Sequence, residues 1–144
     1  MRGAPGEKLT LECWLNGGPT APGEARVAID NAAGDFTQDV YERVRLLVSE
    51  LVTNSVRHTG IGPGVEGQIV LRLSATPDRV RVEVSDPGGS GRPRMTPSPG
   101  ADGGWGLLLV DQLSDRWGAS QYRGTTVWFE IDRFGEPRLT GDVA

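Results

Sequence analysis

Between Phe36 and about His58 the chain carries Val40, Val44, Leu47, Val48, Leu51 and Ser55 at intervals of three and four residues. That spacing lines up one side of an α-helix. A helix of this length with a single apolar stripe must bury it against a sheet or another helix. Asp35 reads as its N-cap, with Gln38 three residues on in a capping-box arrangement. The polar residues of its second half are ordered too. Glu50, Asn54 and His58 recur every four residues and so follow one line along the helix. Glu50 and Asn54 fall on the flank of the stripe, neither core nor solvent, where a residue lining a cleft would sit.

The remaining segments supply a sheet for that helix. Residues 8–14 alternate loosely, as a strand would, and Gly17-Gly18-Pro19 forms a turn. Thr20 reads as the N-cap of a helix with Ala21, Ala25, Ala28, Ile29 and Ala32 on one face, ended by Gly34. After the loop 59–64, Ile69, Leu71 and Leu73 share one strand face and Val80, Val82 and Val84 another. Thr76-Pro77-Asp78 turns between them, predicting an antiparallel hairpin. Strand side chains alternate faces, so Asp86 has the parity of Val84 and points at the core side. An unpaired carboxylate there is costly, and a ligand or water that donates to it would relieve the cost.

Residues 87–104 hold six glycines and four prolines. Such a loop inside one domain is long enough to be functional. Trp105 to about Leu113 reads as a short helix. Trp117–Tyr122 and Thr125–Ile131 read as a terminal hairpin turned by Arg123-Gly124, with Thr125 sharing the parity of Val127, Phe129 and Ile131. From Asp132 to Ala144 the chain is polar and expected to fray. Trp14 and Trp128 fit either a core or an interface.

Composition excludes several classes. A chain of 144 residues with 37% hydrophobic and 24% charged residues is expected to form one globular domain with a real core. No apolar run is long enough to span a bilayer, and Met1–Glu7 lacks the apolar stretch of a secretory signal. The single cysteine, Cys13, excludes an internal disulfide and suits a reducing cytoplasm. A net charge of −4 argues against a general nucleic-acid binder. One Cys and one His make no Cys/His metal cluster, and a Ser-His-Asp triad would have to take its His from the middle of a helical motif.

Four features remain to be explained together: Glu50-x-x-x-Asn54, Asp86-Pro87-Gly88-Gly89, Gly103-Gly104-Trp105-Gly106-Leu107 and Gly124-Thr125-Thr126-Val127. Each has an ordinary reading alone. Glu50 and Asn54 could be surface residues, Asp86 a loop cap, the glycines a hinge, Thr125 a strand start, and His58 a helix-end residue favoured by the dipole. In this order and spacing they point to a nucleotide pocket.

The combination resembles the GHKL, or Bergerat-fold, ATP-binding domains, and within them the small bacterial branch of anti-sigma-factor serine/threonine kinases. The resemblance covers residues 8–131 as one ATP-binding domain, leaving 132–144 as a polar tail. It implies an α/β two-layer sandwich: a mixed, mostly antiparallel sheet with helices on one face and ATP between helix and sheet. Asp86 would accept from the adenine amine, and Thr125 would reach the same ring edge directly or through water. Gly88 would let backbone approach the base. Gly104, Gly106 and Leu107 would form the second glycine box, letting the lid fold over the phosphates at a helix N-terminus. Asn54 would ligate Mg2+, which prefers oxygen donors, and Glu50 would be the general base. Arg57 either approaches phosphate or is a solvated helix-end residue.

The implied function is ATP-dependent phosphorylation of an anti-sigma-factor antagonist, with the same protein able to hold a sigma factor and so regulate transcription by partner switching in the cytoplasm. The expected partners are proteins, with a homodimer possible and neither nucleic acid nor membrane bound directly. The alternative is a non-catalytic, nucleotide-gated protein-binding module. A weaker one is a plain interaction domain without nucleotide. The chain departs from sensor histidine kinases, having no separate phospho-acceptor His domain, and from gyrase, mismatch-repair and Hsp90-type ATPases, having no transducer domain. Its Gly/Pro-rich 87–104 matches no diagnostic lid.

Overall fold

A computed structural model describes residues 8–16, 18–59, 66–87, 105–122 and 124–133. In chain order they form β1 (Leu9–Asn16), α1 (Ala21–Ala32), α2 (Gln38–Thr59), β2 (Glu66–Thr76), β3 (Arg79–Asp86), α3 (Trp105–Leu113), β4 (Arg116–Ser120) and β5 (Thr125–Asp132). The strands make one sheet in the order β1-β2-β3-β5-β4. The expected sheet is antiparallel at each of its described pairings. Pro77-Asp78 closes the β2–β3 hairpin, with Thr76 opposite Arg79 and the Asp78 N–H donating to Thr76 Oγ1 at 3.2 Å.

One sheet face is apolar and covered. Ile69, Leu71, Leu73, Val80, Val82, Val84, Phe129 and Ile131 alternate along their strands and are buried. The α2 stripe from Val40 to Ser55 is buried against them, as its spacing predicts, together with Val52. α2 packs on β3, α1 and α3, and α1 packs on β1, so the helices form the second layer. Asp30 ties α1 to α2, accepting from the Tyr41 hydroxyl at 2.6 Å and Arg45 Nε at 2.9 Å.

The other face is polar and held by its own charges. Glu130 accepts from Arg81 at 2.9 Å and Arg116 at 2.7 Å, and Asp132 pairs with Arg116 and Arg79. The Arg81 guanidinium lies 4.3 Å from the centroid of Trp128. Trp128 in turn covers Gly118, where a Cβ would come within 2.8 Å of the indole. Trp128 is thus half-buried on the polar face, and Trp14 is 60% exposed; neither belongs to the core.

Three expectations at element ends are corrected. Thr20 occupies the N-cap position of α1 but makes no capping bond. Proline at N2 removes one of the two N–H groups a cap can receive from, and the Thr20 hydroxyl donates to Glu24 at 3.1 Å instead. Asp35 does not cap α2. Thr37 does, accepting the Val40 N–H on Oγ1 at 3.3 Å, so the Asp35–Gln38 capping box does not form. The segment from Asp132 is not frayed at its start. Asp132 closes β5, and Arg133 donates to the Thr76 carbonyl at 2.8 Å and the Asp35 carbonyl at 3.1 Å while stacking on Phe36. Residues 134–144 lie outside the described residues. α1 itself ends one residue before the Ala33 N–H donates to the Ile29 carbonyl, ahead of Gly34.

Candidate functional site

The stripe on α2 fixes the direction of everything else on that helix. With Leu51 and Ser55 turned into the core, Glu50 and Asn54 are half-buried on its flank, as expected. The turn that carries them is tied from two sides. Ser49 Oγ accepts from Arg26 of α1 at 2.8 Å, and the Ser49 carbonyl accepts from the Thr53 hydroxyl at 2.8 Å. Asn54 Oδ1 is enclosed and has no hydrogen-bond partner among the described residues. A buried amide oxygen left without a donor costs about 1–3 kcal/mol. An electropositive ligand would remove that penalty, and a hard cation such as Mg2+ suits a carboxamide oxygen. The donor chemistry therefore fits the ion assigned to Asn54.

Asp86 and Thr125 meet on the sheet. Asp86 is the last residue of β3, Thr125 the first of β5, and they stand directly opposite each other. Both are half-buried on the helix-facing side, in line with Val84 and Val127. Their Cβ atoms are then about 4.5–5.5 Å apart, close enough for one ring edge and a water to reach both. Asp86 also has an interaction within the chain, so a ligand is not its sole source of compensation.

The residue before Thr125 does more than turn a hairpin. Gly124 has φ +105° and lies against the backbone of Asp86 and Pro87; a Cβ there would fall 2.2 Å from the Asp86 carbonyl oxygen. Only glycine satisfies both conditions. The signal in the sequence was the Gly-Thr dipeptide itself, but its contact with Asp86 depends on β3 pairing with β5, which no local pattern states.

The other expected residues divide by position. Arg57 is exposed near the end of α2. Gly106 is the second residue of α3, and Leu107 is a core residue, 3% exposed, that seats this helix. Gly88, Gly104 and the His58 side chain lie outside the described residues, so their relation to Asp86 and Asn54 is not part of the geometry.

The strong electrostatics lie elsewhere. Burial works against ionising Glu130, but hydrogen bonds from Arg116 and Arg81 outweigh it and its pKa is lowered. Asp132 is lowered chiefly by its bond from Arg116. Both are on the outer sheet face, as is a groove lined by Thr10, Glu12, Arg72, Arg81 and Glu83. The groove's charges are paired with one another, Arg72 with Glu12 at 2.7 Å and Arg81 with Glu83 at 3.1 Å. Burial, then the Glu24 charge, raises the Cys13 pKa, which keeps that thiol protonated and unreactive.

No described helix is long and apolar enough to cross a membrane. Among curated proteins the chain is similar to the serine-protein kinase RsbW of Bacillus subtilis, 28% identical over 131 residues that cover 81% of each chain. It is also similar to RsbW of Bacillus pumilus, 27% identical over 132 residues, 81% of this chain and 82% of that one. Among solved structures it superposes on the blue-light activated histidine kinase of Erythrobacter litoralis with a TM-score of 0.54 and 26% identity. That match covers 79% of this chain and only 41% of the larger protein. The histidine kinase-like ATPase domain family matches residues 19–131. That span runs from the start of α1 to Ile131 in β5 and leaves only β1 of the described elements outside it, and the chain belongs to the histidine kinase-like ATPase domain family.

Proposed function

We infer that this chain is an ATP-dependent serine/threonine protein kinase whose substrate is an anti-sigma-factor antagonist, and that it alternately holds a sigma factor, controlling transcription by partner switching in the cytoplasm. The observation that carries the nucleotide half is the pairing of Asp86 with Thr125 at the end of the sheet. The similarity to serine-protein kinases supports the choice of reaction.

In this reading Asp86 accepts from the adenine amine, and Thr125 donates to the adjoining ring nitrogen directly or through water. The charged acceptor makes that bond stronger than a neutral one. Gly88, Gly104 and Gly106 let backbone approach base and phosphates, with Leu107 seating α3, and Arg57 neutralises phosphate charge. Asn54 holds Mg2+ through Oδ1; the ion, when bound, offsets charge on the phosphate oxygens. Glu50 takes the proton from the attacking serine hydroxyl as its oxygen bonds to the γ-phosphorus and the bond to the leaving ADP oxygen breaks. Phosphoryl transfer depends mainly on positioning and charge neutralisation, so Glu50 supplies part of the rate.

Incubation of the purified chain with Mg-ATP and a cognate antagonist, followed by mass measurement of the antagonist, tests this. Addition of one phosphoryl group to a serine is expected. Saturable ATP and partner binding with an unmodified serine would establish the non-catalytic binding module instead.

A further inference from the structure

We propose that Ser85 and Thr126 act as a positioning clamp that holds Asp86 and Thr125 at the separation adenine requires. This rests on the adenine-pocket reading given above and names residues outside it. The Ser85 and Thr126 hydroxyls are hydrogen-bonded at 2.8 Å and stand directly opposite each other, one register position inside the Asp86–Thr125 pair. Parity turns them away from the pocket, onto the polar face of the sheet. They cannot touch a ligand bound at Asp86, yet they join the same two strands at the adjacent rung.

The need for such a clamp follows from where the pair lies. Asp86 ends β3 and Thr125 begins β5, so the base-reading pair is the terminal rung of its ladder. Terminal rungs open most easily, and a base-reading pair that opens presents its acceptor and donor at a varying separation. Two contacts oppose the opening. Gly124 lies against the Asp86 backbone on the outer side of the rung, and the Ser85–Thr126 bond closes the inner side. A side-chain bond across strands is a small contribution to global stability. Its effect here is local order at one rung, which a ligand reads as pre-organisation.

Thr126→Val keeps the β-branched shape that suits a strand and removes the hydroxyl. Mg-ATP and Mg-purine riboside triphosphate, which lacks the 6-amino group, are titrated against the full-length wild-type chain and this variant. The clamp predicts that Thr126→Val weakens ATP by about three- to ten-fold and weakens the amine-free analogue, which keeps only the ring-nitrogen contact to Thr125, by a smaller factor. Ser85→Ala should match it, the double variant should add nothing further, and Thr126→Ser should restore wild-type affinity. Equal weakening of both ligands, or no change in either, would overturn the clamp while leaving the pocket in place. A wild-type chain that binds neither ligand would overturn the nucleotide reading and the clamp together.

Discussion

Asp86 and Thr125 are direct cross-strand neighbours, the last residue of β3 opposite the first of β5. Two short motifs nearly forty residues apart in sequence thus become one surface feature, because the intervening α3 and β4 leave the sheet and re-enter at its edge. The kinase reading and its rivals make different statements about what that feature does.

Replacing Asp86 with Asn keeps the shape and removes the charge. A hydrogen bond to a charged group is worth about 1.5–3 kcal/mol, so Asp86→Asn should weaken Mg-ATP by roughly ten- to a hundred-fold. Calorimetric titration decides it. Unchanged affinity would remove Asp86 from the pocket.

Asn54 is expected to behave unlike most half-buried residues. Because its Oδ1 has no partner among the described residues, Asn54→Ala removes an unsatisfied group and should cost the ligand-free protein less than about 1 kcal/mol. ATP binding should at the same time become largely insensitive to Mg2+. Urea melts and ATP titrations with and without the ion check both halves. An undiminished response to Mg2+ would mean that another residue is the ligand.

Glu50→Ala should retain ATP affinity and lose phosphotransfer, by about 10²–10⁴-fold if Glu50 is the base. Loss of binding in that variant would make Glu50 part of the pocket rather than of the chemistry.

Gly124→Ala should be severe. The added carbon meets the Asp86 carbonyl and the backbone is held at φ +105°. A strained residue of this kind costs about 1–3 kcal/mol before the clash is counted, so the unfolding midpoint should fall and ATP affinity with it. A variant as stable as wild type would show that the β3–β5 end can relax.

The outer face predicts a pH dependence. Glu130 and Asp132 have folded pKa values below their ordinary 4.5 and 3.8, so the folded chain binds fewer protons than the unfolded one in that range. Their contribution is complete above the ordinary carboxylate values and is lost as pH falls through the depressed ones. Denaturant melts from neutral into acid pH should show stability dropping there, with a shallower drop in Glu130→Gln. An identical acid limb in that variant would assign the loss to other carboxylates.

What could be seen in the sequence was whatever a local period or turn could state. The α2 stripe needed only the helical repeat, and the β2–β3 hairpin only its Pro77-Asp78 turn and two alternating runs. Parity alone put Asp86 and Thr125 on the core side. What could not be seen depended on distant segments. Nothing near Asp86 says that β5 pairs with β3, so neither the Gly124 contact nor the Ser85–Thr126 bond was visible. Arg133 is anchored by the α1–α2 connection and the β2–β3 turn, and sequence position alone made it look like a tail. At the start of α2, Thr37 and Asp35 are both competent caps by residue type, and Thr37 is the one that takes the Val40 N–H.

The terminal rung has an evolutionary consequence. Because a strand alternates sides at every residue, gain or loss of a single codon inside β3 or β5 would send Asp86 or Thr125 to the opposite surface while leaving its chemistry intact. Length variation among relatives should therefore be purged from these two strands far more strictly than substitution.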